Sequence, residues 1–347
     1  MNSNSTNYNF FQLSGSVSRE QYLYLNNIFV MIKAVGQPTA AVCLALSALA
    51  FLLDRKRNAT TLYLVTLNLA ESFNLTMLSV FTLCRMSSSC EKGVVYFNVS
   101  LWLGAYVGIS CRRSVHVLNL LVATQRFIAI AFPLRAKTTF LLNHPLLTSL
   151  GVILFSLTMH SYFAIMYEVS DTGSVLTALG KENYDIFSKF QHVIMYLFMH
   201  LSLVLTAAAN IGTTVTLVLH KRKMRGVRTT QKTSGAREKN ERSMTIMVLV
   251  CTGLFVFMYL PVSTNFTLVD LLPDYSHLSS EAYLFLTITS AAMMCQVLAA
   301  QLIFVSYIIL NKNFRKNLLM ILFTIFCPLS KCRSYVLALK PSKKVNP

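Results

Sequence analysis

Seven stretches of the chain are apolar for at least the roughly 20 residues that a helix needs to cross a bilayer core. They run over about 25–53, 59–84, 95–131, 145–168, 187–220, 243–271 and 281–309, and the third and fifth are long enough to project past the bilayer. An eighth stretch, 311–326, begins with basic residues and continues with mixed apolar and polar positions, as an interfacial helix does. The pattern predicts an all-α membrane protein: a seven-transmembrane helix bundle followed by a short membrane-parallel helix. Residues 1–24 form an amino-terminal segment, 25–310 the bundle, and 311–347 the amphipathic helix and tail. No soluble domain and no internal repeat is evident.

Composition agrees with this picture. Of 347 residues, 54% are hydrophobic and 13% charged, where a soluble domain carries about 25% charged residues. The net charge of +18 would suit nucleic acid, but its placement argues against that partner. Arg55, Lys56 and Arg57, then Arg135 and Lys137, then a run from Lys221 to Lys239, then the tail lysines and arginines all fall on one side of an alternating bundle. The other side carries Glu168, Asp171, Glu182, Asp185, Asp274 and Glu281. Basic residues mark the cytoplasmic face, so the amino terminus is expected outside and the carboxyl terminus inside, in the plasma membrane. The polar segment 1–24 has no apolar core of a cleaved leader, and the first helix is expected to act as the signal anchor. The sequons at Asn4 and Asn98 fall outside; those at Asn58 and Asn74 fall inside or in the membrane, and Asn265 sits deep near the end of helix six.

The inner end of helix three carries the most specific chemistry. It reads Ala123-Thr124-Gln125-Arg126-Phe127-Ile128-Ala129-Ile130-Ala131-Phe132-Pro133-Leu134-Arg135, which resembles the Asp-Arg-Tyr motif of rhodopsin-like (class A) G-protein-coupled receptors and its Pro-Leu-Arg continuation. Helix six contains Phe255 through Tyr259 and Pro261, similar to the family's Phe-x-x-Cys-Trp-x-Pro. Tyr307, followed by Asn313-Phe314-Arg315-Lys316, resembles the end of helix seven and the start of the short last helix. The resemblance implies a receptor for an extracellular ligand that activates a heterotrimeric G protein. In it Gln125, Arg126, Phe127, Glu241, Pro261 and Tyr307 form the coupling and switch residues. Arg126 faces the G protein when active and bridges to Glu241 when inactive, and Pro261 supplies a kink that levers the inner half of helix six. Cys327 and Cys332 are candidate palmitoylation sites. No cofactor is implied.

The departures from that family are numerous. Gln125 stands where the motif has its acid, which removes the counter-charge beside Arg126 and favours basal activity. The family's buried aspartate falls at Phe73, with Glu71 nearby but expected to face elsewhere. Ile303-Phe304 replaces Asn-Pro, so a sodium pocket of the usual form is not expected. The usual disulfide is missing, since its helix-three cysteine falls near Leu101. Cys84 and Cys90 are close enough to close a local loop, yet free or buried thiols are the expected state.

Cys111-Arg112-Arg113-Ser114-Val115-His116 sits near mid-membrane on helix three. Two arginines there are expensive, and neighbours on a helix point about 100° apart. Either Arg112 faces a cavity that takes an anionic ligand group, or it pairs internally with Glu71 or another acceptor. Arg112, Arg113, His116, Tyr259 and Asp270 are the candidate ligand-binding residues. Gly108 stands where amine receptors carry an aspartate, and helix seven has no lysine for retinal. Peptide and chemosensory ligands both remain open. No catalytic motif appears among the scattered histidines, so no enzyme is expected. The rival readings are a transporter or channel-like protein, and a receptor-like protein without signalling.

Overall fold

A computed structural model describes residues 16–54, 58–86, 94–136, 138–170, 173–225, 235–276 and 279–326, with the side chains of 85, 94, 95, 170, 173–175, 220–225 and 235–242 left aside. Seven helices are long and apolar enough to cross a membrane: α1 (Arg19–Leu52), α2 (Ala59–Cys84), α3 (Tyr96–Ala131), α4 (Pro145–Met166), α5 (Tyr184–Leu219), α6 (Ser243–Leu271) and α7 (Ala282–Leu310). A further helix, α8 (Lys312–Phe326), follows. These bounds match the apolar stretches to within a few residues.

Local chemistry sets the ends. Ser18 and Gln21 form a reciprocal capping box that starts α1 earlier than its apolar run. Asn58 Oδ1 accepts the Thr61 amide at 2.9 Å and opens α2. Asn311 Oδ1 accepts the Phe314 amide at 3.1 Å and separates α7 from α8. One element has no counterpart in the sequence reading. Between α4 and α5 a two-stranded antiparallel hairpin, β1 (Tyr167–Ser170) and β2 (Gly173–Leu176), pairs Tyr167 with Leu176. The ends of the bundle are therefore a hairpin end and an α8 end.

The helices present apolar surface outward and polar groups inward, the reverse of a soluble bundle. Leu154, Ile211 and Phe257 are 62%, 65% and 68% exposed, which only hydrocarbon would stabilise. Asn68, Glu71, His116, Asn119 and Gln296 are buried. Most buried hydroxyls donate to a carbonyl one turn back, such as Ser114 to Ser110 and Thr206 to Ser202, which satisfies them without a partner helix.

α3 is the central element, in contact with α2, α4, α5 and α6, while α1 packs on α2 and α7. Small residues permit the close approaches. A Cβ at Gly212 on α5 would come within 2.9 Å of the Phe127 ring on α3. Gly212→Val is therefore expected to destabilise the bundle by about 1–3 kcal/mol through overpacking. Thermal unfolding checks this, and Phe127→Leu in the same background should recover part of the loss.

Two stretches, Ser100–Gly108 in α3 and Tyr196–Leu201 in α5, are wound as π-helix. A π turn holds more residues than an α turn. Positions on either side of it do not share one 3.6-residue phase.

Candidate functional site

Three layers of polar residues run through the bundle, and the predicted site residues divide among them. The α8-end layer is built on α3. Arg126 is buried at 9% exposure. Its neighbour Gln125 is also buried and turns to α2, where Oε1 accepts the Thr60 hydroxyl at 2.8 Å. The missing acid is thus replaced by a neutral strut between α2 and α3. Phe127 faces α5 at Gly212. Tyr307 on α7 is buried among Phe51 and Phe314, at ring separations of 5.0 and 5.5 Å, with its hydroxyl 3.5 Å from Asn68 Oδ1. Ser243 on α6 donates to the Leu310 carbonyl at 2.9 Å and ties α6 to the end of α7. Glu241 belongs to the extension of α6 that begins at Gly235. Its side chain lies outside the described residues, as do Asn4, Cys327 and Cys332. Pro261 lies within α6 and on its outer face, where its missing N–H leaves the carbonyl one turn back without a helical partner.

The middle layer surrounds a small cavity, about 20 Å³, between α1, α2, α3, α6 and α7. Its polar lining is Asn68, Glu71, Asn119, Tyr259 and Gln296. The Tyr259 hydroxyl donates to Glu71 Oε1 at 3.0 Å, so α6 and α2 are joined at the residue corresponding to the family's helix-six aromatic. Glu71 is 6% exposed and faces the bundle, whereas Phe73 is 37% exposed. This corrects the expectation that Glu71 would face elsewhere. Asn68, Glu71 and Asn74 recur every three residues and are all buried. In an apolar helix such a polar stripe has to turn inward, and that signal was available in the sequence.

Above the cavity, toward the hairpin end, lie the two arginines. They point apart, as helix geometry requires. Arg112 turns to the α2 side, where it is the cation acting on Glu71. Arg113 turns to the α4–α5 side, with Nη1 3.5 Å from Met199 Sδ and its charge felt by the Tyr162 hydroxyl. His116 sits between them and the α6 aromatics, edge-on to Phe255 and Tyr259 at 5.1 and 4.8 Å. Arg112 Nε, Arg113 Nε, Glu71 Oε2 and both His116 ring nitrogens are buried without a hydrogen-bond partner. Of the five predicted ligand residues, only Tyr259 lines that cavity.

The hairpin-end layer links α5 to α6 and α6 to α7. Asp270 Oδ2 accepts the Tyr196 hydroxyl at 2.5 Å, and His192 Nε2 lies 3.7 Å from Asp270 Oδ1. His200 Nε2 lies 2.8 Å from Thr267 Oγ1. Asn265 is buried, donates to Thr289 on α7 at 2.8 Å and accepts the Tyr275 hydroxyl. Burial raises the Tyr275 hydroxyl above the ordinary tyrosine pKa. Asn98 lies in the helical turn Val94–Val99 at this end. Cys84 is disulfide-bonded, its partner lying outside the described residues. That corrects the expectation of thiols at this position, while Cys43, Cys111, Cys251 and Cys295 are free. Among the described residues no group of three or more His, Cys, Asp or Glu side chains is placed to hold a metal.

A comparison with curated proteins finds no match. The family model described as serpentine type 7TM GPCR chemoreceptor Srw matches residues 63–324. That span runs from the second turn of α2 into α8 and contains Glu71, Arg112, Arg126, Tyr259 and Tyr307. The matched residues thus include all three polar layers and six of the seven membrane helices in full or nearly so, and the chain belongs to the Srw family of serpentine seven-transmembrane GPCR chemoreceptors.

Proposed function

We propose that this chain is a plasma-membrane chemosensory receptor. It takes a small ligand with an anionic group at the hairpin end and activates a heterotrimeric G protein at the α8 end. Membership of a chemoreceptor family over residues 63–324 carries the reading, and of the two ligand classes left open it favours the chemosensory one over peptides. The basic connectors favour a cytoplasmic α8 end, in which α8 would lie along the inner leaflet with Cys327 and Cys332 as its lipid anchors. Asn4 and Asn98 would then carry sugar outside.

The rhodopsin-like motif residues give the coupling mechanism. Arg126 lies at the α8 end of α3, where α5 and α6 border the cleft that a G protein enters. Glu241 is its proposed partner in the resting state. Gln125 holds α2 against α3 through Thr60, so opening the cleft leaves that strut intact while α6 moves about Pro261.

Arg112, Arg113 and His116 support an anionic ligand. Of the two guanidinium groups only Arg112 lies toward a carboxylate, Glu71, and both carry a buried Nε–H with no acceptor in the protein. A carboxylate or phosphate would supply it in the planar, charge-assisted geometry that guanidinium favours. A screen of charged and neutral small molecules in cells expressing the receptor tests this. Arg112→Gln and Arg113→Gln are each expected to lower the potency of anionic agonists about tenfold or more, the worth of one charge-assisted hydrogen bond. Agonists that are all neutral, with potencies the two variants leave unchanged, would overturn the ligand assignment and leave the family untouched.

A further inference from the structure

The His192–Asp270 pair at the hairpin end poses a hydrogen-bonding problem. His192 Nδ1 lies 2.8 Å from the Ser188 carbonyl oxygen. A carbonyl can only accept, so Nδ1 carries the hydrogen. In the neutral ring that leaves a lone pair on Nε2. Nε2 faces Asp270 Oδ1 at 3.7 Å, an acceptor opposite an acceptor. The other carboxylate oxygen is engaged by the Tyr196 hydroxyl at 2.5 Å, and that phenol lies against His200 at a ring separation of 4.6 Å and a tilt of 34°. With the ring neutral the pair lacks a positive centre between Nε2 and Oδ1, which a proton or a metal ion would supply.

We propose that these two atoms bind a divalent ion of the zinc class, bridging α5 to α6 outside the ligand site. Two ligand atoms about 2.1 Å from a shared tetrahedral ion stand about 3.4 Å apart, so a shift of a few tenths of an ångström closes the site. One imidazole nitrogen with one carboxylate oxygen suits zinc, whereas magnesium and calcium take all-oxygen sets. The surroundings are those of a built ligand pair. The Ser188 carbonyl fixes the imidazole tautomer and the Tyr196 hydroxyl orients the carboxylate, the outer contacts that tune metal ligands. His192 and Asp270 side chains are 46% and 36% exposed, which leaves room for water in the remaining positions. His200, about two turns further along α5, is engaged with Thr267 and Ser263 and adds no ligand. With two protein ligands the ion exchanges readily. It would act as a removable clasp on the α5–α6 pair, and its occupancy would set how freely those helices part.

The test is direct binding, independent of signalling. Full-length receptor purified in detergent is titrated with zinc and, separately, magnesium, by calorimetry and by thermal unfolding. Wild type is expected to bind zinc with a rise in unfolding temperature and to ignore magnesium. His192→Gln and Asp270→Asn should each weaken that binding about tenfold or more, and Tyr196→Phe, which disturbs only the outer contact, by about tenfold. Both ligand side chains are exposed, and an unchanged metal-free unfolding temperature confirms that each variant is folded. Zinc binding of equal affinity in wild type and both ligand variants would overturn the proposal. So would the absence of zinc binding in wild type, since a proton rather than a metal would then join the pair.

Discussion

Replacing Glu71 by Gln is expected to destabilise the bundle by about 1–3 kcal/mol, the worth of a buried hydrogen bond to a charged acceptor together with its through-space attraction to Arg112. Glu71 is 6% exposed, Tyr259 donates to it at 3.0 Å, and Arg112 is the cation that acts on it. The glutamine keeps the shape and one acceptor for Tyr259 but removes the charge that compensates Arg112. The loss should not be additive with Arg112→Gln. In a double-mutant cycle read by thermal unfolding, Glu71→Gln/Arg112→Gln is expected to be more stable than Glu71→Gln alone, because the lone charge has gone. Additive losses would mean that Arg112 finds its compensation elsewhere. The interaction matters for the proposed function because one carboxylate is shared between the arginine beside the proposed ligand and the aromatic of α6 two residues before Pro261, on its α8 side. An anion binding Arg112 competes with Glu71 for it, and the Glu71–Tyr259 bond between α2 and α6 is changed at the same moment.

Much of the bundle could be read from the chain because hydrocarbon is a strict selector. Only long apolar runs survive as spans, and their ends are marked by caps such as Ser18, Asn58 and Asn311 or by charges. The direction in which each residue faces was harder to read. Counting from Arg126 toward the hairpin end crosses the π-wound Ser100–Gly108, so comparisons at Gly108 and Leu101 lose phase there. On α2 the count from the family pattern pointed to Phe73, while the polar stripe Asn68, Glu71, Asn74 pointed to the true inner face. The hairpin β1–β2 left little trace, since four-residue strands are too short for an alternating pattern to stand out. The His192–Tyr196–Asp270 cluster was half visible. Asp270 stood out as a charge near a helix end, but its partners come from another helix 74 residues away, and single-sequence periodicity contains nothing about that distance.

The second large effect is expected at the α8 end. Arg126 is buried near the α8 end of α3, and in the coupling mechanism proposed above it is the motif residue that meets the G protein. Arg126→Ala should therefore leave the hairpin-end contacts and the Glu71–Tyr259 bond in place, with ligand binding retained. What it removes is a central arginine anchor in the open cleft, and truncating such an anchor costs about 2 kcal/mol or more of partner binding. Thr60→Val serves as the contrast. It breaks the strut to Gln125 without touching the proposed G-protein contact, so it is expected to change basal activity rather than abolish the response.

Guanine-nucleotide exchange on a panel of heterotrimeric G proteins, measured with reconstituted wild type and Arg126→Ala at matched receptor amounts, tests the central claim most directly. Wild type should accelerate exchange on at least one G protein in response to a small-molecule agonist, and Arg126→Ala should lose about tenfold or more of that acceleration while binding the same agonist. Equal acceleration by wild type and Arg126→Ala, or ion or solute flux through wild-type vesicles with no exchange on any G protein, would contradict it.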